Sequence, residues 1–256
     1  MIQSHLLMTL KKNLYLMPKS KTVGISSKVQ DPNSDDSAKG PPVPSSVPAK
    51  VIEKVPGRRY SVVLDLNGVL VHRRNFVKGK KRPIMIRPSC HEFLNWLHNQ
   101  AMVAFWTSIA PRNIPQNLHV VLQGTSLQLP DVQVLSQNDC IRLSYVESSK
   151  PDKPFCLKDL RVFAKLLVLE SVEEVLLVDD SPQKNLLNDP HNAVHPPTWS
   201  GDGDDRFLTM TLKPWLEGLF RSGEAVPEYV KLALLPFGQF PMDRSSDLAL
   251  KILRGA

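Results

Sequence analysis

Four short apolar runs, at 60–65, 101–107, 132–136 and 174–179, punctuate this chain, and helix-patterned segments lie between them. Runs this short, rich in Val and other apolar residues and bounded by polar ones, read as buried strands. Strands that alternate with helices imply a parallel sheet covered by helices on both faces, an α/β architecture. In such sheets the functional site lies beyond the carboxyl ends of the strands.

The intervening segments carry helix signals. Ser89 reads as an N-cap, with Glu92 three residues on to complete a capping box, and Phe93, Leu94 and Leu97 form the buried stripe. A second helix is expected near 118–122 and a third over 157–169, where Leu160, Phe163, Ala164 and Leu167 recur at helical spacing. A fourth starts at Ser181-Pro182, a capping Ser followed by Pro at the first helical position. The last amphipathic helix is expected at 207–220. Before it, Ser200-Gly201-Asp202-Gly203-Asp204-Asp205 has no Glu at the twelfth position of a calcium loop and reads as an exposed turn.

The chain has 256 residues, 42% of them apolar and 22% charged, enough for one substantial core with appendages. The expected division is a tail at 1–57, a folded domain at 58–225 and a C-terminal extension at 226–256 that packs on or flanks it. From Asp31 to Pro48 the composition is Pro, Ser, Asp and Lys with few large apolar residues, as in a disordered linker. Residues 1–17 could form a short amphipathic helix; lacking acids they are like an organellar presequence, lacking Arg they are equally like a plain tail. Cys90, Cys140 and Cys156 are widely spaced, which argues against a disulfide framework or a structural zinc. No apolar stretch reaches the roughly 18 residues of a membrane helix, so a soluble protein is expected.

The formal net charge is +7, unevenly spread. Between Leu66 and His91 there are seven basic residues and no acid: Arg73, Arg74, Lys78, Lys80, Lys81, Arg82 and Arg87. Such a run can be a solvated loop; lying just after the first strand, it can also draw an anionic substrate to that face. Nucleic acid is the weaker reading, because only Phe76 is interleaved as a stacking aromatic.

The carboxyl ends of three runs carry chemistry. The first closes on Asp65, followed by Asn67 and a Gly turn; the second on Thr107-Ser108; the last on Asp179-Asp180-Ser181. A single polar residue at such a position is usually a cap or a turn. Adjacent carboxylates after Val-Leu-Leu-Val repel one another unless a cation or solvent relieves them. Asp65 and Asp180, with waters and a phosphate oxygen, would suit octahedral magnesium.

Five ordered segments then bring a family into view: 64–71 (Leu-Asp-Leu-Asn-Gly-Val-Leu-Val), Arg87-Pro88 with Glu92-Phe93-Leu94, Phe105-Trp106-Thr107-Ser108, Lys158-Asp159-Leu160, and Leu177-Val178-Asp179-Asp180-Ser181-Pro182 with Lys184-Asn185. The chain resembles the carboxy-terminal-domain phosphatase-like branch of the haloacid dehalogenase superfamily, also called the NLI-interacting-factor domain, from about Arg58 to Phe220. Asn192-Ala193-Val194 and Trp199 are similar too. Asn67-Gly68 where the family has Asp-Glu, with Pro236-Phe237-Gly238-Gln239 near the end, resembles a plant subgroup. The resemblance implies a Rossmann-like parallel sheet and magnesium as cofactor. It implies that Asp65 is the nucleophile, forming an aspartyl-phosphate and touching the metal, and that Thr107 binds phosphoryl oxygens. By the same likeness Lys158 neutralises nucleophile and phosphate, Asp180 is a direct metal ligand, and Asp179 lies beside it as outer partner or second ligand.

Asn67 departs from the pattern. It occupies the general acid/base position, whose main-chain carbonyl is a metal ligand in the family. An amide hydrogen-bonds but exchanges no proton at neutral pH, and general acid/base help is worth about 10²–10⁴ in rate. Metal binding and phosphate recognition are expected to persist while turnover falls. The basic segment after His72 is shorter than the β-hairpin insert of the small phosphatases, so their substrate preference does not transfer. His72 is expected to pack or cap rather than catalyse, His91 and His98 form no metal pair, and no Gly-rich nucleotide loop is present.

Two functions are therefore carried forward. One is a weak magnesium-dependent protein phosphatase of the phosphoserine/threonine class, acting on a phosphoprotein or peptide. The other is an impaired pseudophosphatase that binds or scaffolds, as does the family's mitochondrial import translocase subunit, although no membrane helix is present. A nuclear or cytoplasmic location is expected, with the mitochondrion as a further option.

Overall fold

The computed structural model describes residues 59–73, 83–143 and 155–254. The N-terminal tail and linker, and Arg74, Phe76, Lys78, Lys80, Lys81 and Arg82 of the basic run, lie outside the described residues. Among the described residues nine strands form: β1 (Ser61–Leu64), β2 (Val71–Arg73), β3 (Ile84–Ile86), β4 (Met102–Trp106), β5 (Gln133–Leu135), β6 (Ile141–Leu143), β7 (Phe155–Leu157), β8 (Val175–Val178) and β9 (Ala193–Val194). Five of them make one sheet in the order β5-β4-β1-β8-β9, every pairing parallel. The four expected strands are all in it, and β9 is the addition.

The unbroken apolar runs are explained by burial on both faces. Val62 and Leu64 of β1 pack with Phe105, Leu176 and Val178 on one side, against Phe93 and Leu97 of the helix Cys90–Gln100. The same side takes the helices Ile114–Leu122 and Lys213–Ser222. Val63, one residue out of phase, points with Ala104, Trp106 and Leu177 to the other face, under Leu160 and Phe163 of the helix Leu160–Leu166. Each such side chain removed from water contributes about 1.5–3 kcal/mol.

Several local expectations are corrected. The segment 157–169 is not one helix: Phe155–Leu157 is β7, paired antiparallel with β6, and the helix begins at Leu160. Asp159 caps it, accepting from the Arg161 N–H, and the chain leaves helical geometry at Val168, whose φ is 53°. Ser89 does precede a helix, but at φ 59° its side chain makes no cap bond, so no capping box forms. After Ser181 the chain makes only a 3-10 turn, Pro182–Asn185, and the Ser181 hydroxyl turns to Asp180 Oδ1 at 3.3 Å. The segment 207–220 is a π-turn, Leu208–Leu212, running into the helix Lys213–Ser222. Pro214 has no N–H to return to the preceding turn, and the Lys213 N–H reaches Leu208 C=O instead. Nor is it the last helix: Val226–Leu232 and Asp247–Arg254 follow.

Arg87 is no part of an anion-attracting surface. Its guanidinium is buried, holds Asp205 through two bonds of 2.7 and 2.8 Å, and donates to Val69 C=O at 3.1 Å. That pair ties the turn at 200–205 to the chain after β1, so Asp205 is not a merely exposed turn residue. His72 packs edge-on against Trp199, 6.3 Å between ring centres. Among the described residues no helix is long and apolar enough to cross a membrane.

Candidate active site

Parallel pairing in the order β4-β1-β8 sets three strand ends side by side, which is why residues more than 40 and 70 positions apart meet. Main-chain bonds lock the ends together: Asp65 N–H to Val178 C=O at 2.8 Å, Asp179 N–H to Val194 C=O at 3.2 Å, and Thr107 N–H to Leu135 C=O at 3.1 Å. Beyond β1 the chain turns at Gly68, whose φ of +91° suits glycine. A Cβ there would collide with Asp180 Oδ2, so the turn is a cradle that only glycine leaves open.

Asp65, Asp179 and Asp180 are all buried, and each offers a carboxylate oxygen within 4.8 Å of the others. Lys158, fully buried in the loop between β7 and its helix, donates to Asp65 Oδ1 at 3.0 Å, Asp179 Oδ2 at 2.5 Å and Trp106 C=O at 2.5 Å. Its loop is fixed by Asn188, which donates to Lys158 C=O and accepts from Leu160 N–H. Lys184, from the 3-10 turn after β8, donates to Asp65 Oδ2 at 3.2 Å and to Asp179 Oδ1 at 2.9 Å. Both ammonium groups thus bridge the same two carboxylates. Burial pushes the Asp179 carboxyl up, but Lys158 and Lys184 outweigh it and hold it well below the usual carboxylate range. Lys184 answers in kind: burial lowers it, and Asp179, Asp65 and Asp180 more than restore it, so it stays charged.

Asp180 is different. Among the described residues it takes part in no ion pair; its oxygens accept from Thr198 Oγ1 at 2.7 Å and from Ser181 Oγ. Burial raises its carboxyl, with Asp179 and Asp65 adding to the rise against Lys184. Among the described residues, three carboxylates face two lysines, which leaves one negative charge uncompensated beside a glycine cradle. Asp65 and Asp180 therefore fit a hard, oxygen-preferring divalent cation.

The structure brings together Asp65, Lys158, Asp179 and Asp180 of the sequence candidates. Thr107 ends the neighbouring strand, buried, its Oγ1 accepting from the Ile109 N–H at 3.3 Å. Asn67 lies two residues past Asp65, exposed, in an isolated bridge with Val71. Sequence reading assigned no role to Lys184, although it stood in the last motif. Thr198 and Gln239 were also unassigned, and so was His195, whose Nδ1 lies 2.8 Å from Asp179 C=O. Thr198 and His195 carry no local signal, and Gln239 stood only in the Pro236–Gln239 stretch that likens the chain to a subgroup; the fold is what brings all three to Asp179 and Asp180.

A doubly covered parallel α/β domain with an acid-and-lysine cluster at the carboxyl edge of its sheet is the frame of a phosphate-handling site. Residues 60–227 match the family described as NLI interacting factor-like phosphatase, and the chain belongs to it. Its fold is a parallel α/β sheet covered by helices on both faces. Among solved structures, that of Fcp1, an essential RNA polymerase II CTD phosphatase, is similar at 16% identity over 68% of this chain and 52% of that one, with a TM-score of 0.39. Fission yeast RNA polymerase II CTD phosphatase Fcp1 bound to beryllium fluoride is similar at 14% identity over 68% and 54%, with a TM-score of 0.38. The chain spans about half the length of these two proteins. No curated protein matches it significantly.

Proposed function

We propose that the chain is a magnesium-dependent phosphatase of the phosphoserine/threonine class that works through an aspartyl-phosphate on Asp65 and is slowed by Asn67. The observation behind this is the buried Asp65 carboxylate, held at both oxygens by Lys158 and Lys184, with Asp179 as their shared counter-charge. Two fixed ammonium groups orient the nucleophile and would offset the charge of an incoming phosphoryl group, and in phosphoryl transfer positioning and charge neutralisation supply most of the catalysis. Asp65, Asp180 and, by family likeness, the main-chain carbonyl of Asn67 would hold magnesium, which supplies further neutralisation of phosphoryl oxygens when bound. Thr107, at the end of β4, is the candidate partner for those oxygens.

The exposed amide of Asn67 accepts no proton from water and gives none to a leaving alkoxide. An aryl phosphate, whose leaving group departs unprotonated, is then the best substrate, and hydrolysis of the aspartyl-phosphate limits turnover. Asn67→Asp is expected to speed alkyl phosphoester hydrolysis by about 10²–10⁴. Asp65→Asn abolishes the residual activity and the trapped intermediate together. The natural substrate is a phosphoprotein of the nucleus or cytoplasm. Asn67 is also what favours the second reading, a phosphoprotein-binding scaffold. That reading replaces the first if Asn67→Asp stays inert while magnesium binds.

A further inference from the structure

The family domain ends near residue 227, yet Gln239 reaches back into the site. Its Nε2 donates to Asp180 C=O and to Pro196 C=O, both at 2.7 Å, so both donors of the carboxamide are used. Its main-chain N–H donates to His195 C=O at 2.6 Å, closing an antiparallel bridge. One residue thus joins the loop after β8, which carries Asp180, to the loop after β9.

Two features show that the segment is shaped to deliver it. Phe237 adopts φ 58°, left-handed backbone that a bulky side chain rarely takes, and the residue is 82% exposed, so burial does not hold the turn. Gly238 N–H closes that turn on Leu235 C=O at 3.0 Å. Beyond Gln239, Arg244 donates to Leu186 C=O and Asn188 C=O, and the helix Asp247–Arg254 buries Ala249 and Ile252 against Leu157 and Leu186. The segment is anchored on both sides of Gln239.

We infer that Gln239 is a positioning residue: it fixes the Asp180 main chain so that the carboxylate stands correctly over the Gly68 cradle, making the C-terminal segment part of the cation site. The inference rests on the magnesium-dependent reading above. The clearance at Gly68 leaves no room for even a methyl group, so a small displacement of Asp180 changes the site.

The test is magnesium titration of the full chain by isothermal calorimetry and by melting temperature, which needs no turnover. Gln239→Ala is expected to raise the half-saturating magnesium concentration about tenfold or more, as loss of a ligand-orienting partner typically does. Gln239→Asn, whose shorter stem cannot span both carbonyls, is measured beside it and is expected to fall between. Val230→Ala, in the core of the helix Val226–Leu232, controls for stability and should lower the melting temperature without moving the magnesium midpoint. An unmoved midpoint in whichever Gln239 variant folds, with wild type binding, overturns this inference alone. No magnesium binding by wild type overturns the cation site and this inference with it.

Discussion

Lys158→Met should be among the most damaging single changes in this chain, and the structure says by how much. The Nζ has no exposure and makes three bonds, to Asp65, Asp179 and the Trp106 carbonyl. Methionine fills similar volume, so the cost is electrostatic rather than a cavity. Lys184 alone would then face three buried carboxylates, and the Trp106 carbonyl would lose its Lys158 donor. Removing one partner of a buried ion pair typically costs about 3–5 kcal/mol, against about 0–1 kcal/mol for an exposed pair. At about 2–4 °C per kcal/mol for a domain this size, the melting temperature should fall by about 6–20 °C. The assay is urea denaturation followed by circular dichroism, in EDTA and in excess magnesium chloride. Because the variant carries one more uncompensated negative charge, magnesium should restore more stability to it than it adds to wild type. Adding Asp179→Asn should recover part of the loss in EDTA, with a coupling well outside additivity. A loss below about 1 kcal/mol would mean that Lys158 behaves as a solvated surface charge, and the buried-cluster reasoning would be wrong.

Two further outcomes follow from the same cluster. Asp180→Ala removes a buried carboxylate whose ionisation is already disfavoured, so stability in EDTA should hold or rise while the magnesium-induced shift in melting temperature disappears; a full magnesium response in the variant would refute the metal assignment. Asp179 has a carboxyl lowered from 3.8 to about 2, so its contribution is fully present above pH 3.8 and is lost as the pH falls through about 2. An acid titration of stability should therefore steepen in that window and flatten in Asp179→Asn; identical curves would refute the pairing.

Much of the fold was legible because its signals are local. A strand buried on both faces must be apolar at every position, so 62–64 and 175–178 announced themselves, and a sheet that is parallel must keep its site at the carboxyl ends. Asp65, Asp179 and Asp180 were read that way, whereas Lys158 came from the family resemblance alone. The errors arose where a side chain or segment took a partner other than the one its local pattern suggested. Arg87 looked like one charge in a basic run until Asp205, far along the chain, took the Nε–Nη2 edge of its guanidinium. Ser181 looked like a cap until its hydroxyl turned to Asp180. The 157–169 periodicity hid a strand, because pairing with β6 overrode helical propensity at 155–157.

The sequence by itself determined which residues are apolar, which strand ends carry acids, and that an amide stands where the family has an acid. Only the tertiary structure decided how the charges are shared. Lys184 joins Lys158 across Asp65 and Asp179, Asp180 is left without an ion pair among the described residues, and Gln239 arrives from outside the family domain to bond its main chain. Most of those pairings depend on distances between residues dozens of positions apart. Burial sets their strength, and neither quantity is encoded in any local stretch of sequence.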